Sequence, residues 1–256
     1  MIKKTVLITG SKGQLGSEIR VLSKAFSEFD FIFADIDSLD ICNLTKLKIF
    51  FAKNKVHYIV NCASYTNVDK AEEEPELAEE VNGFAVSNLV KICEMYNIIL
   101  IHISTDYVFD GKAKTPYSEN DKPNPINVYG KTKLKGEQFI VNSNIVYAII
   151  RTATEKDKIS VVCDQIGSPT NAKDLAEAIL KIIPQINKEN KGSYYFSSGK
   201  IMSWYDFAKE IVKVNKLHFK VKPITTKDFK TLAKRPEYSV LSKDKINRAF
   251  RLLVRE

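Results

Sequence analysis

Three glycines at fixed spacing constrain this chain most. Gly10-Ser11-Lys12-Gly13-Gln14-Leu15-Gly16 follows an apolar stretch of strand length, residues 5–9, and opens a stretch of helical character. In that position each glycine has a mechanical use. Gly10 permits a tight turn, Gly13 lets a pyrophosphate approach the backbone, and Gly16 lets the helix pack closely on the strand. The helix N-terminus then offers free amides and partial positive charge to the phosphates. Taken alone the pattern is weak, since an ordinary turn also uses glycine, but between a strand and a helix it favours dinucleotide binding. About 20 residues beyond Gly16, at the end of a second apolar stretch, Asp35 is placed to accept hydrogen bonds from the adenosine ribose. A carboxylate there repels a 2′-phosphate, so the sequence leans towards NADH and leaves NADPH open through nearby lysines. Asp40 and Ile41 fall where adenine would lie, with a helix-capping role for Asp40 as the competing reading.

The surrounding rhythm agrees. Strand-length apolar runs at 5–9, 31–34, 58–61, 98–103 and 146–150 alternate with helical stretches from about 15, at 44–53, at 75–95 and at 129–141. That alternation predicts an α/β fold, a Rossmann-type doubly wound parallel sheet covered on both faces. After Arg151 the rhythm loosens, with a helix at 173–183 and another opening at Ser203. The expected division is a dinucleotide-binding domain over 1–150 and a smaller substrate-binding lobe over 151–256, packed together, some elements returning to the main sheet.

Composition excludes several classes. A chain of 256 residues with 44% hydrophobic content buries a sizeable core. No apolar run approaches the roughly 18 residues of a membrane span, and the N-terminus lacks a leader pattern. Cys42, Cys62, Cys93 and Cys163 form no CxxC pair, and His57, His102 and His218 share no ligand spacing, so reduced thiols, no metal site and a cytoplasmic location are expected. The net charge of +8 is spread along the chain among acids, which argues against a nucleic-acid surface. A membrane partner is likewise not expected.

Tyr129-Gly-Lys-Thr-Lys133 puts a phenol and an ammonium four residues apart, on one face of a helix. A neighbouring cation is expected to lower the phenol pKa, so that Tyr129 can protonate a carbonyl oxygen; Lys133 would also hold the nicotinamide ribose. The pair is common by chance. Its weight comes from Ile103-Ser104-Thr105-Asp106-Tyr107, which follows a strand and so lies at the carboxyl end of the sheet, where ligands bind. Thr105, Tyr129 and Lys133 together form the hydroxyl, phenol and ammonium set of a carbonyl reductase.

With these residues in view, the chain resembles the extended short-chain dehydrogenase/reductase family and, within it, the dTDP-4-dehydrorhamnose reductases. The resemblance runs from Val6 to about Lys245 through GQLG at 13–16, NCASYTNVDKAEEE from Asn61, ISTDYVFDG from Ile103, PYSENDKPNPINVYGKTKLKGE from Pro116, DQIGSPT at 164–170, SWYDFA at 203–208 and AKRPEYSVL at 233–241. It implies that Gly13, Gln14, Leu15, Asp35, Asp40, Ile41, Ala63, Ser64 and Tyr65 contact NADH or NADPH. It also implies catalysis by Thr105, Tyr129 and Lys133, with Thr105 and Asp106 near the sugar of a dTDP-sugar. DQIGSPT and AKRP would hold the nucleotide part, Arg235 meeting its phosphates; a plain turn is the competing reading of Gly167-Ser168-Pro169. Some relatives use magnesium at a dimer contact; no residue here is assigned to it, and a homodimer is compatible with the resemblance.

Two departures stand out. After Arg151-Thr152 the family carries an aromatic residue that packs on the sugar and then a helix-containing segment, whereas here Ala153-Thr154-Glu155-Lys156-Asp157 leads almost at once to Val161. The sequence also stops at RAFRLLVRE, where relatives continue through a final helix. The implied activity is NAD(P)H-dependent reduction at C4 of a 4-keto-6-deoxy sugar nucleotide. The alternatives are a dinucleotide-binding regulatory protein like the regulatory subunit of methionine adenosyltransferase, and another nucleotide-sugar enzyme of the extended family, an epimerase or dehydratase.

Overall fold

Along four consecutive strands of the sheet, neighbouring side chains enter two different cores. A computed structural model describes residues 3–153, 161–214 and 221–252. Its first strands and helices are β1 (Lys4–Thr9), α1 (Gln14–Leu22), β2 (Phe29–Phe33), α2 (Leu44–Lys53) and β3 (Tyr58–Asn61). They are followed by α3 (Val68–Glu73), α4 (Pro75–Glu79), a π-helical turn (Glu80–Phe84), α5 (Ala85–Tyr96), β4 (Ile99–Thr105), α6 (Val128–Val141) and β5 (Tyr147–Thr152). Val6 and Ile8 of β1, Val60 of β3, Ile101 of β4 and Ile150 of β5 pack in one cluster. Leu7, Ile59, Leu100 and Ile149 pack in the other, with residues of α2 and α5. Such two-sided burial is what a parallel sheet requires.

The second half supplies β6 (Val161–Val162), β7 (Ile166–Gly167), α7 (Ala172–Ile182), β8 (Gly192–Tyr195), β9 (Met202–Ser203), α8 (Trp204–Val214), β10 (Pro223–Ile224) and α9 (Asp244–Phe250). The six-stranded sheet has the order β2-β1-β3-β4-β5-β8, all pairs parallel. Its last strand therefore comes from beyond residue 150. So do Leu175, Ile179 and Ile182 of α7, which fill the core beside Ile19 of α1. The remainder of this half forms two short ladders, β6 with β10 and β7 with β9.

The sequence predicts one helix over 75–95, but the structure breaks it. Glu74 precedes Pro75 and departs from helical geometry, which ends α3 before α4 begins. The π turn then offsets α5 from α4, and within it Asn82 is turned inward and buried. The stretch where the sequence lacks the family's aromatic and helix-containing segment falls on positions 154–160, which lie outside the described residues, as do 253–256.

Candidate active site

The order of the sheet puts β2 and β3 on opposite sides of β1, so a crevice opens at the carboxyl ends of β1 and β3. The glycine turn sits there. Gly10 has φ +61°, and a Cβ on it would stand 2.6 Å from the Ala63 nitrogen beyond β3. On Gly16 a Cβ would stand 2.5 Å from the Gly10 carbonyl oxygen. Gly13 is the N-cap of α1 and contributes no side-chain hydrogen bond, so the first-turn amides are left to a ligand. Gln14 is exposed at that turn and Leu15 half-buried. These features fit a dinucleotide pyrophosphate.

Asp35 closes one side of the crevice. Its carboxylate accepts from the backbone amides of Lys12 (2.8 Å) and Ile36 (2.9 Å), which pins the end of β2 to the glycine turn. Lys12 also pairs through its ammonium with Asp37. Asp40 is not the cap of α2: its Oδ1 accepts from Cys42 (2.9 Å), while Asn43 caps α2 by accepting from Lys46 (2.9 Å). Ile41 is also placed differently from expectation. Its side chain is buried in the core, so only its backbone remains for a ligand.

The residues expected to be catalytic converge where β4 ends. Tyr129, Thr105 and Lys133 are all buried. The Thr105 and Ser64 hydroxyls stand beside the Tyr129 phenol and favour its ionisation, yet burial outweighs them and pushes the phenol up to about 12. This is opposite to the lowering expected from Lys133. The reason is visible in the lysine: its Nζ donates to the Ile103 carbonyl (2.6 Å), and burial brings its own pKa down to about 8. Tyr129 is therefore a firmly protonated phenol in this fold.

Asp106 lies against this centre. It accepts from Thr105 Oγ1 at 3.0 Å on one oxygen, while Oδ2 makes no closed hydrogen bond although Ser239 stands beside it. Burial raises its carboxyl to about 6. Ser239 arrives through the second half of the chain: Ile166 bridges Tyr238, and the amide of Ser239 donates to the Ile166 carbonyl (2.8 Å). DQIGSPT and AKRPEYSVL thus meet next to Asp106, and Gly167 lies in a strand, not a turn.

Arg235 does not wait free for phosphate. Its Nη1 and Nη2 form a fork on Asp69 of α3 (3.1 and 2.7 Å), and its guanidinium also reaches the Tyr107 hydroxyl. Tyr107 in turn lies edge-on to Tyr129, ring centroids 6.0 Å apart. With Asn127 donating to the Lys234 carbonyl (2.7 Å), Arg235 straps the later segment against the start of α6. Tyr65 is likewise held, its hydroxyl donating to Glu74 (2.7 Å). Asn82 ties the Tyr65 backbone, Ser64 and Thr132 together. Sequence reasoning missed Asn82, Asp69 and Ser239, because each is recruited across a long sequence separation. Among the described residues no cluster of three or more His, Cys, Asp or Glu could hold a metal ion, and no helix is long and apolar enough to cross a membrane.

Comparison with known proteins decides the relationship. The family model of the RmlD substrate binding domain matches residues 4–154 and 142–256. The chain belongs to the RmlD family. A dTDP-4-dehydrorhamnose reductase of Aggregatibacter actinomycetemcomitans is 36% identical, over 96% of this chain and 92% of the relative. The crystal structure of a dTDP-4-dehydrorhamnose reductase from Clostridium acetobutylicum superposes with a TM-score of 0.88 at 40% identity, covering 94% of this chain and 91% of that one. The Bacillus anthracis dTDP-4-dehydrorhamnose reductase in complex with NADP matches with the same TM-score, 0.88, at 33% identity, covering 98% of this chain and 99% of that one. Membership of the RmlD family, whose similar members carry the reductase name, makes the fold and the buried hydroxyl, phenol and ammonium set parts of one reading.

Proposed function

We propose that this RmlD-family chain is an NAD(P)H-dependent oxidoreductase that reduces the C4 keto group of dTDP-4-dehydro-L-rhamnose to give dTDP-L-rhamnose. The observation that carries this reading is the burial of Thr105, Tyr129 and Lys133 together at the carboxyl end of β4, across a crevice from the glycine turn. When bound, the reduced nicotinamide supplies the hydride. The protein's own residues do the rest. Gly10, Gly13 and Gly16 admit the pyrophosphate, and Asp35 takes the adenosine ribose. Tyr129, protonated by virtue of its burial, gives its proton to the C4 carbonyl oxygen. Thr105 orients that oxygen, and Lys133, bonded to the Ile103 carbonyl, carries the charge that stabilises the resulting phenolate.

The segments around Ser239 and Gly167 border Asp106 and form the wall against which the sugar nucleotide would rest, which supports a substrate-binding role for the later residues. Arg235 serves there as a strap. A cytoplasmic site of action agrees with four free cysteines, and a homodimer is the assembly we propose. Incubating the protein with dTDP-4-dehydro-L-rhamnose while following NADH and NADPH absorbance separately tests the reading. Oxidation that requires the sugar is expected. Tight dinucleotide binding with no sugar-dependent oxidation would instead favour a regulatory role.

A further inference from the structure

The buried face of α6 carries more charge than the Tyr129 and Lys133 pair accounts for. Glu137 lies one further turn along the same stripe, and at 2% exposure it is as buried as Lys133. The stripe fastens onto β4 residue by residue. Tyr129 faces Thr105, Lys133 donates to the Ile103 carbonyl at 2.6 Å, and Glu137 Oε1 accepts from Ser104 Oγ at 2.5 Å. Arg151, opposite Ser104 in the β4–β5 register, completes a fork on the carboxylate, Nε to Oε1 at 2.9 Å and Nη2 to Oε2 at 2.5 Å. Its Nη1 donates to the Tyr195 hydroxyl at 2.8 Å, which in turn donates a hydrogen bond to the Ser118 carbonyl at 3.0 Å. A tie between α6 and β5 does not need ions, because well-packed apolar residues hold such a place at least as stably as a buried pair.

We propose that Glu137 is a positioning residue of the active site: held by Ser104 and Arg151, it registers α6 on β4 and fixes a negative charge one helical turn from the Lys133 ammonium. This rests on the function proposed above. His102 of β4 is held neutral, its pKa driven well below the usual histidine value by burial. Cys62, just beyond β3, is a thiol pushed up to about 12 by burial. Tyr129, on the same helix, is protonated, and Asp106 acts on Tyr129. Glu79 is paired with Lys135, and Glu72 accepts from the Val128 amide (2.8 Å). Burial draws Lys133 down, and Glu137 is the leading group that opposes it.

The test is the pH dependence of NADH binding, followed by nicotinamide fluorescence, in wild type, Glu137→Gln and Arg151→Gln. Wild-type affinity is expected to fall as pH rises through the Lys133 titration near 8. Glu137→Gln should move that fall about one pH unit lower, because it removes the negative charge that opposes the effect of burial on Lys133, whereas Arg151→Gln, which breaks the same tie, should leave the midpoint near the wild-type value. A lower midpoint in Glu137→Gln alone is not expected of a merely structural tie, which both variants break. Equal shifts in the two variants, an unmoved midpoint in Glu137→Gln, or a wild-type affinity that is flat over about pH 7–10 would overturn the proposal. Should Glu137→Gln fail to fold, the charge-neutral pair Glu137→Gln/Arg151→Met decides: a lower midpoint supports it and the wild-type midpoint overturns it. Binding needs no sugar, so loss of the reductase reading would show separately, as wild-type protein that binds NADH but does not oxidise it.

Discussion

Tyr129 sits in an environment that keeps its proton on. Burial sets its pKa near 12, and the neighbouring Thr105 and Ser64 hydroxyls only moderate that value. Tyr129→Phe keeps the ring and its edge-on contact with Tyr107 but removes the proton. Sugar-dependent turnover should fall about 10²- to 10⁴-fold with NADH affinity little changed, as steady-state kinetics and fluorescence titration would show; retained turnover would move the acid elsewhere. At Asp35 the carboxylate is already held by two amides, one of them from the glycine turn. Asp35→Ala should raise the NADPH to NADH ratio of kcat/KM about tenfold, equivalent to ~1.4 kcal/mol, since it removes the charge that repels a 2′-phosphate and leaves Lys12 nearby. An unchanged ratio would place cofactor choice outside Asp35. Gly10, Asp35, Thr105, Tyr129 and Lys133 are singled out in the sequence by local spacing read together with the apolar strands that precede them. Local spacing does not show that Arg235 is engaged by Asp69, 166 residues away, or that burial dominates the Tyr129 pKa.

The elements are joined by close approaches that leave no room for error. Gly16 places α1 on the turn after β1, where a Cβ would meet the Gly10 carbonyl at 2.5 Å and the Ser11 Cα at 2.6 Å. Gly16→Ala must push the helix off that turn. It should lower stability by ~1–3 kcal/mol and weaken NADH binding at least about tenfold, read by thermal melts and titration; wild-type values for both would show that α1 is not fixed by this contact. Strand and helix existence follows from apolar periodicity, which places α2 at 44–53, where it stands. The break around Pro75 and the π turn are not legible in this way, because a π turn inserts one residue without disturbing the apolar pattern on either side. β8 escapes for a different reason: Gly192-Ser-Tyr-Tyr195 is too short and too polar to announce a strand, and its place is fixed by pairing with β5. Glu137 has a signal in its spacing from Lys133, but a charged helix residue is ordinarily solvated, and only the buried Arg151 shows otherwise.

At the scale of the whole molecule, the buried carboxyl of Asp106 costs stability at neutral pH. Its pKa in the fold, about 6, lies above the ordinary carboxylate value of 3.8, so the folded protein holds a proton that the unfolded chain would release. Stability from this group is full below the unfolded value and is lost as pH rises through 6, leaving a cost on the order of 1–3 kcal/mol at neutral pH. His102 has the opposite sign: it is buried neutral, so stability is lost as pH falls below about 6.5 and the unfolded chain takes up a proton. Because the two slopes oppose each other, the comparison between variants is the informative one. Asp106→Asn should raise Tm at pH 8 and much less at pH 4, while turnover falls; an equal effect at both pH values would contradict the placement of Asp106 as a buried, raised carboxyl. The doubly covered sheet is legible from the alternation of apolar runs. The meeting of the later segments at Asp106 is not, since it depends on the Ile166 to Tyr238 bridge between β7 and a segment far along the chain. Hydride delivery to C4 is the central claim, and NADH carrying deuterium at the transferable position tests it directly. Reaction with dTDP-4-dehydro-L-rhamnose is predicted to yield dTDP-L-rhamnose with deuterium at C4, visible by NMR. Product without deuterium at C4, or label at another carbon, would contradict it.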